Sequence, residues 1–323
     1  MDNKKNSILI LGNGFDLDLG LPTSYRAYAK SNHWPFSSPL EIFDTESGLL
    51  PNSIHDLMHY DSVPSTWFDI EASLGRYATL DGSYARYKRH HDTETDARAI
   101  SDLSHYQKLV SSLTDYLIEV QENPIKENSV AAKVLSAICQ SPCFNGIFSF
   151  NYTDLRKIAL KLGIQDEFWY THMHGDLNSG IILGIENKMD FYPAYRYLCK
   201  EYNNNYSSRF LAHRLKEAKE IVIFGHSLSE IDYHYFQQFF SDQSNETLSS
   251  KDAKIITIFT RDDNSRMDVL DQLRVMNNKG LDLLYGRNYF HIIKTDGSDE
   301  PKVHDFLQHI YKLDKTMTDG LTW

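Results

Sequence analysis

The sequence predicts an α/β fold built on a parallel sheet flanked by helices, and three observations carry that expectation. Short apolar runs of strand type recur along the chain and alternate with segments of helical spacing, the pattern of βαβ units. Four of the candidate strand ends carry Gly, Asn or His, so polar chemistry collects where strands finish, the edge at which open α/β folds take ligands. No repeat, low-complexity tract or clear linker divides the 323 residues, and 41% hydrophobic content with 17 Phe and 20 Tyr suffices for a substantial core.

Residues 7–11 form the first apolar run, ended by Gly12, and Pro22-Thr23-Ser24 then supplies a turn and a cap for a helix carrying Tyr25, Tyr28 and Ala29. From about residue 30 to 128 the character changes. Polar residues dominate, no β-branched run occurs, and helical spacing shows in Trp67-Phe68-Ile70-Leu74 and over residues 103–120, so we expect a helical insertion into a single α/β domain spanning 1–323. Alternation then resumes with a helix over 130–138, a strand near 146–150, a helix over 154–162 and a strand near 168–172. Residues 186–209, rich in tyrosine and asparagine, suit a loop or small helices over a pocket. The remainder reads as a helix over 211–219, a strand over 220–224, a helix from Ser229, a strand over 254–260, a helix over 267–276, a strand over 289–294 and a last helix near 304–313.

Charge and cysteine usage narrow the function classes. With 44 acidic against 33 basic residues the formal net charge is -11, which repels phosphate backbones and anionic membranes, so nucleic acid is not the expected partner. The one basic stretch, residues 86–91, runs straight into Asp92, Glu94 and Asp96 and reads as a solvated face. Three cysteines give no pairing framework, and Cys139 with Cys143 reads as buried small hydrophobes rather than zinc ligands, so no metal is expected. No secretory h-region and no run of eighteen apolar residues occurs, and the expected location is the cytoplasm.

Four strand ends hold the candidate site. In Gly12-Asn13-Gly14-Phe15-Asp16, continued by Gly20-Leu21-Pro22, the glycines either let backbone amides approach a phosphate or simply make a tight turn. Asn151, after residues 147–150, can donate to and accept from a ribose or an attacking water, although Asn also forms turns; Thr153, as a helix cap, and Asp154, as a residue of the helix N-terminus, are as readily structural as catalytic. His172 and His174 alternate along a strand, so one of them faces a ligand. We favour His174, because Gly175 beside it permits close backbone approach, and a histidine can take a proton from water or a ribose hydroxyl, or else sit in a buried hydrogen-bond network. Gly225-His226-Ser227-Leu228 is a second candidate cradle, with Ser229 capping a helix and Asp232 as its capping-box partner in the structural alternative. No Gly-x-Ser-x-Gly surrounds Ser227, so a serine hydrolase is not indicated. Glu71, four residues from Trp67, is a minor candidate for the pocket.

Together these segments resemble the AbiH family of bacterial phage abortive-infection proteins: Leu11-Gly-Asn-Gly-Phe-Asp, Gly20-Leu-Pro-Thr-Ser-Tyr, Ser149-Phe-Asn-Tyr-Thr, His172-Met-His-Gly-Asp and Phe224-Gly-His-Ser-Leu-Ser. More distantly the chain is similar to sirtuin-like domains, whose Rossmann-like fold binds NAD. In that similarity Gly12, Gly14, Gly20, Leu21 and Pro22 match the sirtuin phosphate-loop pattern, and Asn13, Phe15 and Asp16 in the same loop are candidate cofactor-binding residues beside them. The similarity implies that Asn151 orients the nicotinamide ribose and water, that His174-Gly175 is the catalytic His-Gly, and that Gly225 with Ser227 and Leu228 meets the adenosine half, His226 between them being a candidate cofactor-binding residue. Asp16 stands where the sirtuin motif has Ser, Asp154 is displaced by one residue, and the zinc-binding cysteine pairs are absent, so protein deacetylation is not implied. The implied function is an antiphage effector hydrolysing NAD, with a non-catalytic nucleotide or ADP-ribose sensor and a metal-dependent nuclease using Asp16, Asp154 or Asp176 as alternatives. A second copy of the chain or a phage-derived trigger is the implied partner.

Overall fold

A computed structural model describes residues 6–36, 53–62, 69–79, 95–165, 167–185, 191–206, 209–277 and 280–319. Trp67, Phe68 and the basic stretch 86–91 lie outside the described residues. The chain divides into two compact units, one comprising Met1–Leu21, Asn123–Met173 and Ser207–Trp323, the other Pro22–Glu122 and His174–Tyr206.

Eight strands occur among the described residues: β1 Ser7–Leu11, β2 Phe144–Ser149, β3 Tyr170–His172, β4 Gly175–Asp176, β5 Gly180–Ile181, β6 Glu220–Phe224, β7 Ile255–Thr260 and β8 Tyr289–Lys294. In the first unit six of them form one parallel sheet in the order β3-β2-β1-β6-β7-β8. The fold is α/β and Rossmann-like. Both central strands are buried at all five positions, as a parallel sheet covered on each face requires, and this explains why Ser-Ile-Leu-Ile-Leu and Glu-Ile-Val-Ile-Phe are nearly continuous apolar runs.

Side chains alternate between the faces. Ile8, Ile10, Ile221, Ile223, Ile256 and Ile258 join a core with Leu211 and Leu215, Phe236 and Phe240, and Leu273, contributed by the helices Arg209–Glu217, Tyr233–Gln243 and Asp263–Met276. On the other face Phe224 meets Phe15 edge-on, and Phe259 meets Phe306 of the helix Glu300–Asp319. The helix Val130–Gln140 buries Ala131, Ala132, Val134, Leu135, Ala137 and Ile138 and is capped by Ser129, whose hydroxyl accepts from the Ala132 amide.

The strands lie within two residues of their expected positions, and the differences concern caps. Asp154, not Thr153, caps the helix Leu155–Lys161 by accepting from the Arg156 and Lys157 amides. After β6 a single 3-10 turn, Glu230–Asp232, precedes the helix Tyr233–Gln243, and the Ser229 side chain makes no cap bond. The capping box is therefore absent, because Asp232 is drawn to His226, 3.5 Å away.

The second unit holds the helices Ile54–Ser62, Ile70–Ala78 and Thr95–Val120, the β4–β5 hairpin and the 3-10 helices Pro193–Leu198 and Lys200–Tyr202. A buried carboxylate ties the three helices to the 3-10 helix Pro193–Leu198: Asp102 accepts from the Ile54 amide at 2.8 Å, the Tyr77 hydroxyl at 2.7 Å and the Tyr195 hydroxyl at 2.5 Å. Burial pushes the Asp102 carboxyl up to about 6 despite those donors. Among the described residues no helix is long and apolar enough to cross a membrane.

Candidate functional site

Two loops cross at the carboxyl ends of β1 and β6. The Gly12 amide donates to the Phe224 carbonyl at 2.9 Å, the Gly14 amide to the Gly225 carbonyl at 2.8 Å, and the Phe15 amide to the Gly12 carbonyl at 2.9 Å. A Cβ on Gly12 would lie 2.5 Å from the His226 Cα, and one on Gly14 would lie 2.6 Å from the Gly225 Cα. Gly225 itself adopts φ +64°. These glycines serve the crossing, and their amides are spent inside the protein. Asn13 and Ser227 are the exposed polar residues of the two loops, whereas Phe15 lies in the core.

The second loop is held by its own histidine. Leu228, fully buried, is the described non-glycine residue with positive φ, at 52°, a conformation that costs a branched side chain free energy. Its amide donates to His226 Nδ1 at 2.9 Å. An accepting Nδ1 puts the ring proton on Nε2, which faces the Asp232 carboxylate. The ring also packs edge-on against Phe150, with centroids 4.3 Å apart.

At the end of β2, Asn151 straps its neighbour. Its Nδ2 donates to the Gly12 carbonyl at 3.1 Å and to Asp16 Oδ1 at 2.9 Å, committing both amide hydrogens and leaving Oδ1 for other partners. Thr153 donates its hydroxyl to Asp16 Oδ2 at 2.8 Å. Asp16, 1% exposed, thus turns into the protein, and burial pushes its carboxyl up to about 7, opposed by the bonds from Thr153 and Asn151. His172, whose strand ends there, places Nδ1 2.8 Å from the Asn151 carbonyl. Gly12, Gly14, Asp16, Asn151, Gly225 and His226 are accordingly gathered in one unit.

His174, Gly175 and Pro22 belong to the other unit. His174 Nε2 lies 3.4 Å from the Lys200 ammonium, itself 3.1 Å from the Glu71 carboxylate, and Glu71 Oε1 also accepts from the Gly184 amide at 3.0 Å. Lys200 is 1% exposed and His174 5%. Gly175, at φ +73°, is demanded by the hairpin, since a Cβ there would lie 2.2 Å from the Gly180 carbonyl oxygen. Pro22 is exposed and its carbonyl accepts from the Tyr116 hydroxyl at 2.6 Å. Asp176 closes the hairpin turn by accepting from the Asn178 and Ser179 amides.

A family model described as bacteriophage abortive infection AbiH matches residues 8–251. The chain belongs to the AbiH family. No curated protein matches it. The AbiH match spans all four motif loops and ends before β7 and β8, and it assigns the chain to antiphage abortive infection. Within this AbiH protein, sequence reasoning missed Lys200, the Thr153 bond to Asp16 and the Asp232 contact to His226, and ranked Glu71 low. A lone Lys between Cys199 and Glu201 in an irregular stretch has no periodicity to flag it, and its acid lies 129 residues away. Asp232 had a local signal, its six-residue distance from His226, but the capping-box spacing to Ser229 masked it.

Proposed function

We propose that this AbiH protein is an abortive-infection effector that binds an adenine dinucleotide at the carboxyl edge of its sheet and hydrolyses NAD at the nicotinamide–ribose bond. The observation that carries the binding half is the strand order, which reverses direction beside β1, with the loops after β1 and β6 crossing at that switch point. Asn13 and Ser227, exposed on those loops, are the groups for the phosphates. The catalytic half rests on the sirtuin resemblance of Asn151 and His174. The C1′–N bond breaks with its electron pair passing to the nicotinamide nitrogen, which leaves neutral. Water adds to the ribosyl cation and gives its proton to His174, yielding ADP-ribose. Asn151 presents Oδ1 to the ribose or water, its Nδ2 being engaged with Gly12 and Asp16.

The test follows NAD, nicotinamide and ADP-ribose by mass spectrometry in bacteria expressing wild type, Asn151→Ala or His174→Ala, with and without phage. Loss of a positioned general base costs roughly 100-fold or more in rate, so the His174→Ala protein is expected to leave NAD near its uninduced level. Folded variants that deplete NAD as fast as wild type would refute the reading.

A second reading, a nucleotide sensor without turnover, is favoured by the commitment of the Gly12, Gly14 and Asn151 donors to internal carbonyl and carboxylate oxygens. Calorimetry with NAD and ADP-ribose separates the two: heat of binding without product formation supports the sensor.

A further inference from the structure

Lys200 is a cation taken wholly out of water, which is costly unless its charge is met at close range. Glu71 meets it, with Nζ 3.1 and 3.2 Å from its two carboxylate oxygens, and the Gly184 amide donates to the same carboxylate. The approach is built into the backbone: a Cβ on Gly184 would lie 2.0 Å from the Leu198 carbonyl oxygen, so only glycine lets that amide reach Glu71. A carboxylate with an ammonium and an amide on it is ionised, and its partner is then a donor with no lone pair to offer. His174 Nε2, 3.4 Å away, can face that ammonium favourably only as an acceptor.

We propose that Lys200, oriented by Glu71, is a positioning residue that fixes His174 as the neutral tautomer with its lone pair on Nε2 and its proton on Nδ1. The consequence for reactivity rests on the NAD-cleaving reading: a base accepting at Nε2 has to do so beside a cation, so Lys200 keeps His174 a restrained base until the ammonium is drawn off. The tautomer itself does not depend on any substrate. Among the described residues of this unit, Glu71, Lys200 and Tyr106 are ionisable groups at the cluster, and the Tyr106 hydroxyl donates to the Leu183 carbonyl.

Nitrogen-15 NMR of the imidazole side chains, with His174 assigned by its loss in His174→Gln, tests this on the full chain. Wild type is expected to show Nε2 unprotonated and Nδ1 protonated at pH 7. In Lys200→Met the population shifts to Nε2–H, and the ring takes its second proton at a pH higher by about one unit or more. Because Lys200→Met strands a buried carboxylate, Glu71→Gln/Lys200→Met is the variant of record if the single one does not fold. A His174 whose tautomer and titration are the same in wild type and the folded variant overturns the proposal, as does an Nε2–H signal in wild type. Unchanged cellular NAD would overturn the hydrolase reading alone, since the spectra need no turnover.

Discussion

Asp16 is a carboxylate whose chemistry the fold changes. Its partners are Asn151 and Thr153, 135 and 137 residues away, so nothing in Gly-Phe-Asp says whether the carboxylate faces a ligand or the interior. Folding raises its pKa from 3.8 to about 7, so between those values the native state holds a proton that the unfolded chain releases. That contribution to stability is complete below pH 4 and is lost as pH rises through 7, amounting to a few kcal/mol at most at roughly 1.4 kcal/mol per unit. Asp102, raised to about 6, adds a slope of the same sign ending lower. Urea melts of wild type and Asp16→Asn between pH 4.5 and 8 are expected to show the wild-type midpoint falling toward pH 8 more steeply than the variant's. Equal slopes would mean that Asp16 is not the buried acid. The same limit applied to Lys200 and His174: a side chain's type was legible, while its partner, set by tertiary contact, was not.

At the scale of elements, the sheet was legible because buried parallel strands leave continuous apolar runs, as in Ile221-Val222-Ile223-Phe224. The start of the helix after β6 was less so, since Ser229 and Asp232 have capping-box spacing, yet Asp232 turns to His226 and the helix begins at Tyr233. The glycines were visible as a motif, but their spacing could not tell a phosphate cradle from a loop crossing. Substitution tells them apart. Gly14→Ala pushes a Cβ to 2.6 Å from the Gly225 Cα and is expected to lower Tm by about 5 °C or more, even with no nucleotide present. Gly286→Ala is the control, because its Cβ meets nothing within 4 Å at an exposed position of the helix Asp282–Arg287, and a gain near 1 kcal/mol from helix propensity is expected to hold or raise Tm. A Gly14→Ala protein melting with wild type would mean that the crossing yields easily and that the glycine is kept for another purpose.

At the scale of the molecule, the AbiH match stops at residue 251 while the sheet does not. β6, buried at every position, pairs with β7 along its whole length, from Glu220 with Ile255 to Phe224 with Phe259. Beyond 251 lie Ile256, Ile258, Leu273, Leu284 and Phe290 of the same core. The last of the β7 contacts reaches the candidate site, for the Phe259 carbonyl accepts from the Gly225 amide at 2.9 Å and so anchors the loop that crosses Gly14. A chain ending at 251 would convert a central apolar strand into an open edge, the arrangement that recruits other strands. We expect residues 1–251 to be expressed as aggregate or as a species without a cooperative melt, while the full chain under the same conditions melts cooperatively. Size-exclusion chromatography with thermal denaturation reads the difference. A soluble 1–251 fragment with a sharp transition would mean that β7 and β8 are dispensable to the sheet, and that the Gly225 loop is held without the Phe259 carbonyl, through contacts such as the one from the Gly14 amide in the loop after β1.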